Sequence, residues 1–127
     1  RVRPPHNISA PSLRLARDTL RRNFNIFKWN SLVADERRKV MAAFTQLPFC
    51  TRVYPSEANF FLARLKGAKR IGRYLAAKGI AVKDCSEYDG CADCLRISIG
   101  LPHENTALLS AMRKYAPESD GEDTRLP

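Results

Sequence analysis

The hydrophobic period of this chain changes at Pro48, and no other feature constrains the fold as much. Before it, Trp29, Val33, Val40, Phe44 and Leu47 recur at steps of three, four and seven, the spacing of one helical face. Asp35, Glu36, Arg37, Arg38 and Lys39 fill much of the other face. This pattern predicts a long amphipathic helix over 26–47, ended by Pro48 because proline cannot continue it. After Pro48 the apolar residues come in short alternating runs. Strands are predicted at 51–54, 58–64, 80–83 and 95–99, the third with Ile80 and Val82 on one face and Lys83 on the other. A helix over 69–78 turns Ile71, Tyr74 and Leu75 inward, with Gly79 just past its end. The last helix, 102–115, has Pro102 in its first turn and Ala107, Leu108, Ala111 and Met112 as its apolar face.

A shorter helix, 12–22, precedes all of these. Leu13, Leu15, Ala16 and Leu20 are its apolar residues, Arg14, Arg17, Arg21 and Arg22 its polar face, and Ser9 or Ser12 its N-cap. The order predicts an α+β fold: a small mixed β-sheet of short strands with helices packed mainly on one face, preceded by the long amphipathic helix. Residues 1–11 read as an extended lead-in, 12–116 as one domain, and 117–127 as a disordered acidic tail.

Composition narrows the class. Of 127 residues, 44% are hydrophobic and 28% charged, which excludes a wholly disordered or collagen-like chain. No apolar run approaches the ~20 residues a bilayer span needs. The chain opens with Arg1 and shows no signal-peptide pattern, so it reads as a piece of something longer, or a processed chain. The net charge is +9, and residues 1–40 hold ten basic and three acidic side chains while 117–127 hold one and four. A basic excess fits nucleic acid, an anionic surface, or phosphorylated and carboxylated ligands, and equally a solvated helix face.

Cys85, Cys91 and Cys94 crowd one stretch, with Cys50 apart. Zinc wants a fourth ligand, and His6 and His103 are distant in sequence. A thioredoxin-type pair opens a helix, whereas Cys91-Ala92-Asp93-Cys94 leads into an alternating strand. The thiols therefore read as reduced and structural, with no metal.

One residue stands out on the strand pattern alone. Arg96 lies opposite Leu95, Ile97 and Ile99, so it faces solvent, pairs with a carboxylate, or lines a cleft and grips an anion with its planar fork. Lys83 ends another strand, and two cations at neighbouring strand ends suit a ligand with two acidic groups; a plain surface cation on each strand is the alternative.

Four segments carry a resemblance. VRPPHNISAP (2–11), SEANFFLARL (56–65), KGIAVKDCS (78–86) and CLRISIGLPHENTALLSAM (94–112) resemble, in order and spacing, the C-terminal part of histidinol-phosphate aminotransferases, over about residues 2–115. The resemblance extends to threonine-phosphate decarboxylases, a sister family on the same fold. It implies the small, C-terminal domain of a fold-type I enzyme dependent on pyridoxal phosphate. The implied parent reaction converts L-histidinol phosphate and 2-oxoglutarate to imidazole-acetol phosphate and L-glutamate, in histidine biosynthesis.

By the same resemblance, Arg96 matches the arginine that grips the substrate α-carboxylate. Lys83 stands where the family commonly has an arginine that helps hold the phosphate; lysine keeps the charge and loses the fork. His6 replaces the usual aromatic of the lead-in. None of Lys28, Lys39, Lys66, Lys69, Lys78, Lys83 and Lys114 stands in the family's Schiff-base motif. The resemblance thus implies a fragment that binds no cofactor and is inactive alone. Its partners would be a phosphorylated, amino-acid-like substrate and the large cofactor-binding domain of the same protein, in a cytoplasmic homodimer without nucleic acid or membrane. The readings set against it are a phosphate-bearing amino acid decarboxylase and a free-standing basic module for nucleic acid or a protein partner. Phe60, Phe61, Tyr74 and Trp29 fall on expected core positions, which argues against a stacking platform for bases.

Overall fold

The structure is a computed structural model and describes residues 8–22 and 25–116. His6 and the segment 117–127 lie outside the described residues. The chain divides into two compact units, Arg1–Leu32 and Val33–Pro127.

The first unit holds α1 (Ala10–Arg22) and the first residues of α2 (Ile26–Thr45). Ser9 is the N-cap of α1: its Oγ accepts from the Ser12 backbone N–H at 3.3 Å. Leu13, Leu15, Leu20, Phe27 and Trp29 are exposed. Trp29, expected at the head of the core stripe, is exposed, and the buried residues of α2 are Glu36, Arg37, Val40 and Phe44.

The second unit carries the sheet. Its strands are β1 (Cys50–Val53), β2 (Phe60–Leu65), β3 (Lys83–Asp84) and β4 (Cys94–Ser98), in the order β1-β2-β4-β3. Helices α3 (Ala68–Ala77) and α4 (Pro102–Lys114) complete it. The α+β reading holds. The sheet, expected to be mixed, is antiparallel at each of its pairings. The reason is topological: β2 and β3, joined through α3, run the same way, but β4 is inserted between them, so the two parallel strands are never neighbours.

One predicted strand shrinks. Of 80–83, only Lys83 pairs, together with Asp84. Helix α3 ends in a Schellman turn at Gly79 (φ 75°), in which Ile80 N donates to Leu75 O at 2.9 Å. That bond removes the Ile80 amide from any ladder, and pairing with β4 starts three residues later.

The core lies between the helices and one sheet face. Phe61, Ala63 and Leu65 of β2 and Leu95 and Ile97 of β4 pack with Val40 and Phe44 of α2, Ile71 and Leu75 of α3, and Leu108 and Met112 of α4. Phe44 meets Phe61 edge-on at 5.2 Å. Burying each large apolar side chain contributes roughly 1.5–3 kcal/mol, so this interface sets the stability of the unit. Ala107, expected on the apolar face of α4, is exposed.

The charged run on α2 is not wholly solvated as expected, since Glu36 and Arg37 are buried. Arg37 Nη1 donates to Ala58 O at 2.8 Å, and its Nη2 pairs with Glu57 at 3.3 Å, which ties α2 to the β1–β2 connection. Glu36 Oε2 accepts from Asn105 Nδ2 at 2.9 Å, and Glu36 Oε1 pairs with Lys39 at 2.9 Å. The Asn105 bond, followed by that of Lys39, holds the Glu36 carboxyl below its ordinary value against the opposing effect of burial. Asn105 also accepts from Gly100 N and donates to Gly100 O, each at 3.0 Å. One buried amide thus joins the β4–α4 turn to α2.

Candidate functional site

Alternation along the strands sends every second side chain to the face without helices. On β4 these are Arg96 and Ser98, both exposed, while Leu95 and Ile97 are fully buried on the other side. Arg96 thus lies on the face opposite Leu95 and Ile97, where the strand pattern places it. Register supplies what the sequence lacks. Arg96 is the direct cross-strand partner of Lys83 on one side and of Leu62 on the other. The two sequence-predicted residues are brought together as neighbours.

The same face holds two cations that sequence reasoning missed. Arg52 of β1 and Arg64 of β2 are direct partners, and Arg64 in turn opposes Cys94. The face therefore carries a cation on every strand: Arg52, Arg64, Arg96 and Lys83. Each lies against an aromatic ring. Arg52 is 4.7 Å and Arg64 5.9 Å from the Tyr54 ring centre. Arg96 is 5.2 Å from Phe60, and Lys83 Nζ 5.3 Å from Tyr88. The rings hold the cationic heads out of their free rotamers without neutralising them.

No carboxylate pairs with these four cations among the described residues, where the ion pairs are Arg37–Glu57, Arg38–Asp35 and Lys39–Glu36. Directly opposed like charges destabilise a sheet by a few tenths of a kcal/mol or more. Two such pairs side by side, Lys83–Arg96 and Arg52–Arg64, describe a face that an anion would relieve. Arg64 and Arg52 were illegible in the sequence because cross-strand register is not local. Phe60, expected in the core, is 37% exposed beneath Arg96. Its neighbour Phe61 takes the buried place, since adjacent residues of a strand cannot share a face.

A groove of about 460 Å³ lies elsewhere in this unit, between residues 78–82 and the first turn of α4. Ile80, Val82, Ile97 and Leu108 line it, with His103 at the rim. Glu104, also at its edge, is occupied in capping α4, accepting from Leu101 N at 2.7 Å. Neither Arg96 nor Lys83 reaches this groove.

Cys85, Cys91 and Cys94 are free thiols set in the 85–94 loop. Among the described residues no group of three or more histidine, cysteine and acidic side chains is placed to hold a metal ion. No helix among them is long and apolar enough to cross a membrane.

No family model matches the chain. It is related to proteins named histidinol-phosphate aminotransferase. The Bacteroides fragilis protein of that name is 35% identical over 115 residues, covering 91% of this chain and 33% of the relative. Among solved structures, an aminotransferase and a decarboxylase both superpose on this chain. The histidinol-phosphate aminotransferase from Clostridium acetobutylicum superposes with a TM-score of 0.60 at 26% identity, over 65% of this chain and 25% of that one. A decarboxylase from Sulfurospirillum multivorans reaches 0.68 at 25% identity, over 84% and 32%. The chain spans about a third of the length of the curated relatives it matches.

Proposed function

We propose that this chain is the substrate-anchoring, C-terminal domain of a pyridoxal-phosphate-dependent histidinol-phosphate aminotransferase. The observation that carries the reading is the Lys83–Arg96 cross-strand pair, two cations without a carboxylate partner among the described residues, on an open sheet face of a chain homologous to those enzymes. The two substrates of the parent reaction differ in their anionic groups. Glutamate and 2-oxoglutarate bear carboxylates, whereas histidinol phosphate bears a phosphate and none. Arg96 offers a planar fork for the carboxylate, and Lys83 a compact charge for the phosphate.

The residues of this chain do not themselves fit the cofactor. Pyridoxal phosphate supplies the electron sink of transamination and needs a lysine desolvated enough to form an imine. All seven lysines here, at 28, 39, 66, 69, 78, 83 and 114, are exposed. In this reading the cofactor belongs to the two-thirds of the parent outside this chain, and what the chain contributes is binding and orientation. A homodimeric, cytoplasmic parent is part of the same proposal.

The test is kinetic, in the full-length parent. Arg96→Ala should lower kcat/KM for 2-oxoglutarate by several kcal/mol of transition-state stabilisation, on the scale of a lost charge-assisted pair (roughly 2–5 kcal/mol). Arg96→Lys should be nearly as damaging, because an ammonium lacks the bidentate grip. Lys83→Ala should act less, and mainly on histidinol phosphate against a non-phosphorylated analogue. Wild-type activity in Arg96→Ala would refute the assignment. Carbon dioxide release from a phosphorylated amino acid, with no amino transfer, would move the parent to the decarboxylases.

A second reading gains one observation. Phe60 and Tyr88 stand exposed beside cations on one sheet face, an arrangement that also suits stacked bases. A titration with single-stranded RNA separates the two. Binding at physiological salt no tighter than the roughly 10⁻⁴–10⁻⁶ M of non-specific contacts supports the aminotransferase reading.

A further inference from the structure

The 85–94 loop is a closed circuit of backbone hydrogen bonds with cysteines at its corners. Tyr88 N donates to Cys85 O (3.0 Å), Cys91 N to Tyr88 O (2.9 Å), Cys94 N to Cys91 O (3.0 Å), and Cys85 N to Cys94 O (2.9 Å). We propose that Cys91 and Cys94 form a reversible dithiol–disulfide site, with Cys91 the thiol that meets an oxidant and Cys94 the one that resolves it.

Geometry selects this pair. The bond between Cys94 N and Cys91 O makes 91–94 a turn, which holds the end Cα atoms within about 7 Å, the limit for closing a disulfide. Asp93 sits at φ 56°, the left-handed conformation that the third position of a type II turn requires. The Cys94 thiol folds back over this turn and lies 3.6 Å from Ala92 O. Access differs between the two. Cys94 is 1% exposed, and Cys91 is half-buried and reachable.

A cation is tied to the same loop. The Arg64 guanidinium stands cross-strand from Cys94 and donates to Gly90 O at 2.8 Å. Its interaction with Cys94 raises the guanidinium's own pKa. Cys85 also stands beside Cys94, its amide donating to Cys94 O, but both of these thiols are buried, so neither is the one that first meets an oxidant. Cys50 lies on β1, outside the loop, and burial pushes its thiol pKa up.

The chemistry balances with a low-molecular-weight disulfide as oxidant. The Cys91 thiolate attacks one sulfur of oxidised glutathione, forming a mixed disulfide and releasing one glutathione thiolate. The Cys94 thiolate then attacks the Cys91 sulfur, the mixed bond breaks, and a second thiolate leaves. Two protein thiols lose two electrons and two protons, and one small disulfide becomes two thiols.

The experiment titrates the full chain, native, with oxidised glutathione. Free thiols should fall from four to two without a persistent adduct. Cleavage before aspartate then locates the bond, because Asp84, Asp89 and Asp93 place each loop cysteine in its own peptide. The expected cross-link joins Cys91 to Cys94. Cys94→Ser should convert the product to a stable glutathione adduct on Cys91, and Cys85→Ser should leave the cross-link in place. A cross-link through Cys85, adducts that persist in the wild-type chain, or four thiols unchanged would overturn the proposal.

Discussion

The two faces of the sheet are built from alternate residues of the same strands, yet they answer to different constraints. The inner face, Phe61, Ala63, Leu65, Leu95 and Ile97, is sealed by three helices and has almost no accessible surface. The outer face sets Arg52, Arg64, Arg96 and Lys83 against rings, with like charges opposed across the strands. Packing explains the first completely. It explains nothing about the second, where two opposed cation pairs work against the fold. An anion bound there would relieve that repulsion, which is the role the proposed function gives this face.

The comparison breaks if the inner face is not the stabilising one. Phe61→Ala should cost about 3–5 kcal/mol in urea unfolding of the chain, because the site is closed and cannot collapse around the loss. Asn105→Ala should come next, at roughly 1–3 kcal/mol, since it leaves Glu36 without its strongest buried hydrogen bond. Acid acts on the same bond. Glu36 titrates below its ordinary value of 4.5, so its contribution is present above that value and is lost as pH falls through the folded-state pKa. Unfolding followed between pH 6 and about 3 should show this loss in the wild-type chain and less of it in Asn105→Ala.

The smallest effect sharpens the contrast most. Arg96→Gln should change stability by no more than about 0.5 kcal/mol, with a sign towards stabilisation because it removes a like charge opposite Lys83. A loss comparable to that of Phe61→Ala would make Arg96 a structural residue and end the distinction between the faces.

Local signals were legible in the sequence and nonlocal ones were not. The alternation through Leu95, Arg96 and Ile97 placed Arg96 on the open face without any structure. Pro48 and Gly79 marked the ends of α2 and α3 because their constraints act within one turn. The 80–82 segment misled, since its apolar alternation is real but the Schellman turn had already taken the Ile80 amide. Glu36 and Arg37 looked solvated because burial of a charge depends on a partner far along the chain, Asn105 for one and Ala58 for the other. Arg64 and Arg52 needed the register, which is set by β1 and β4 lying on either side of β2.

The brevity of β3 has a consequence for how this protein behaves in company. The outermost strand of a sheet offers its spare amides and carbonyls to any passing strand, and that is a common route to aggregation. Here one border is a strand of two residues, Lys83 and Asp84, both charged. The other, β1, is four residues long, interrupted by a bulge between Cys50 and Arg52. A passing strand that approaches either border therefore finds too short a template to extend the sheet.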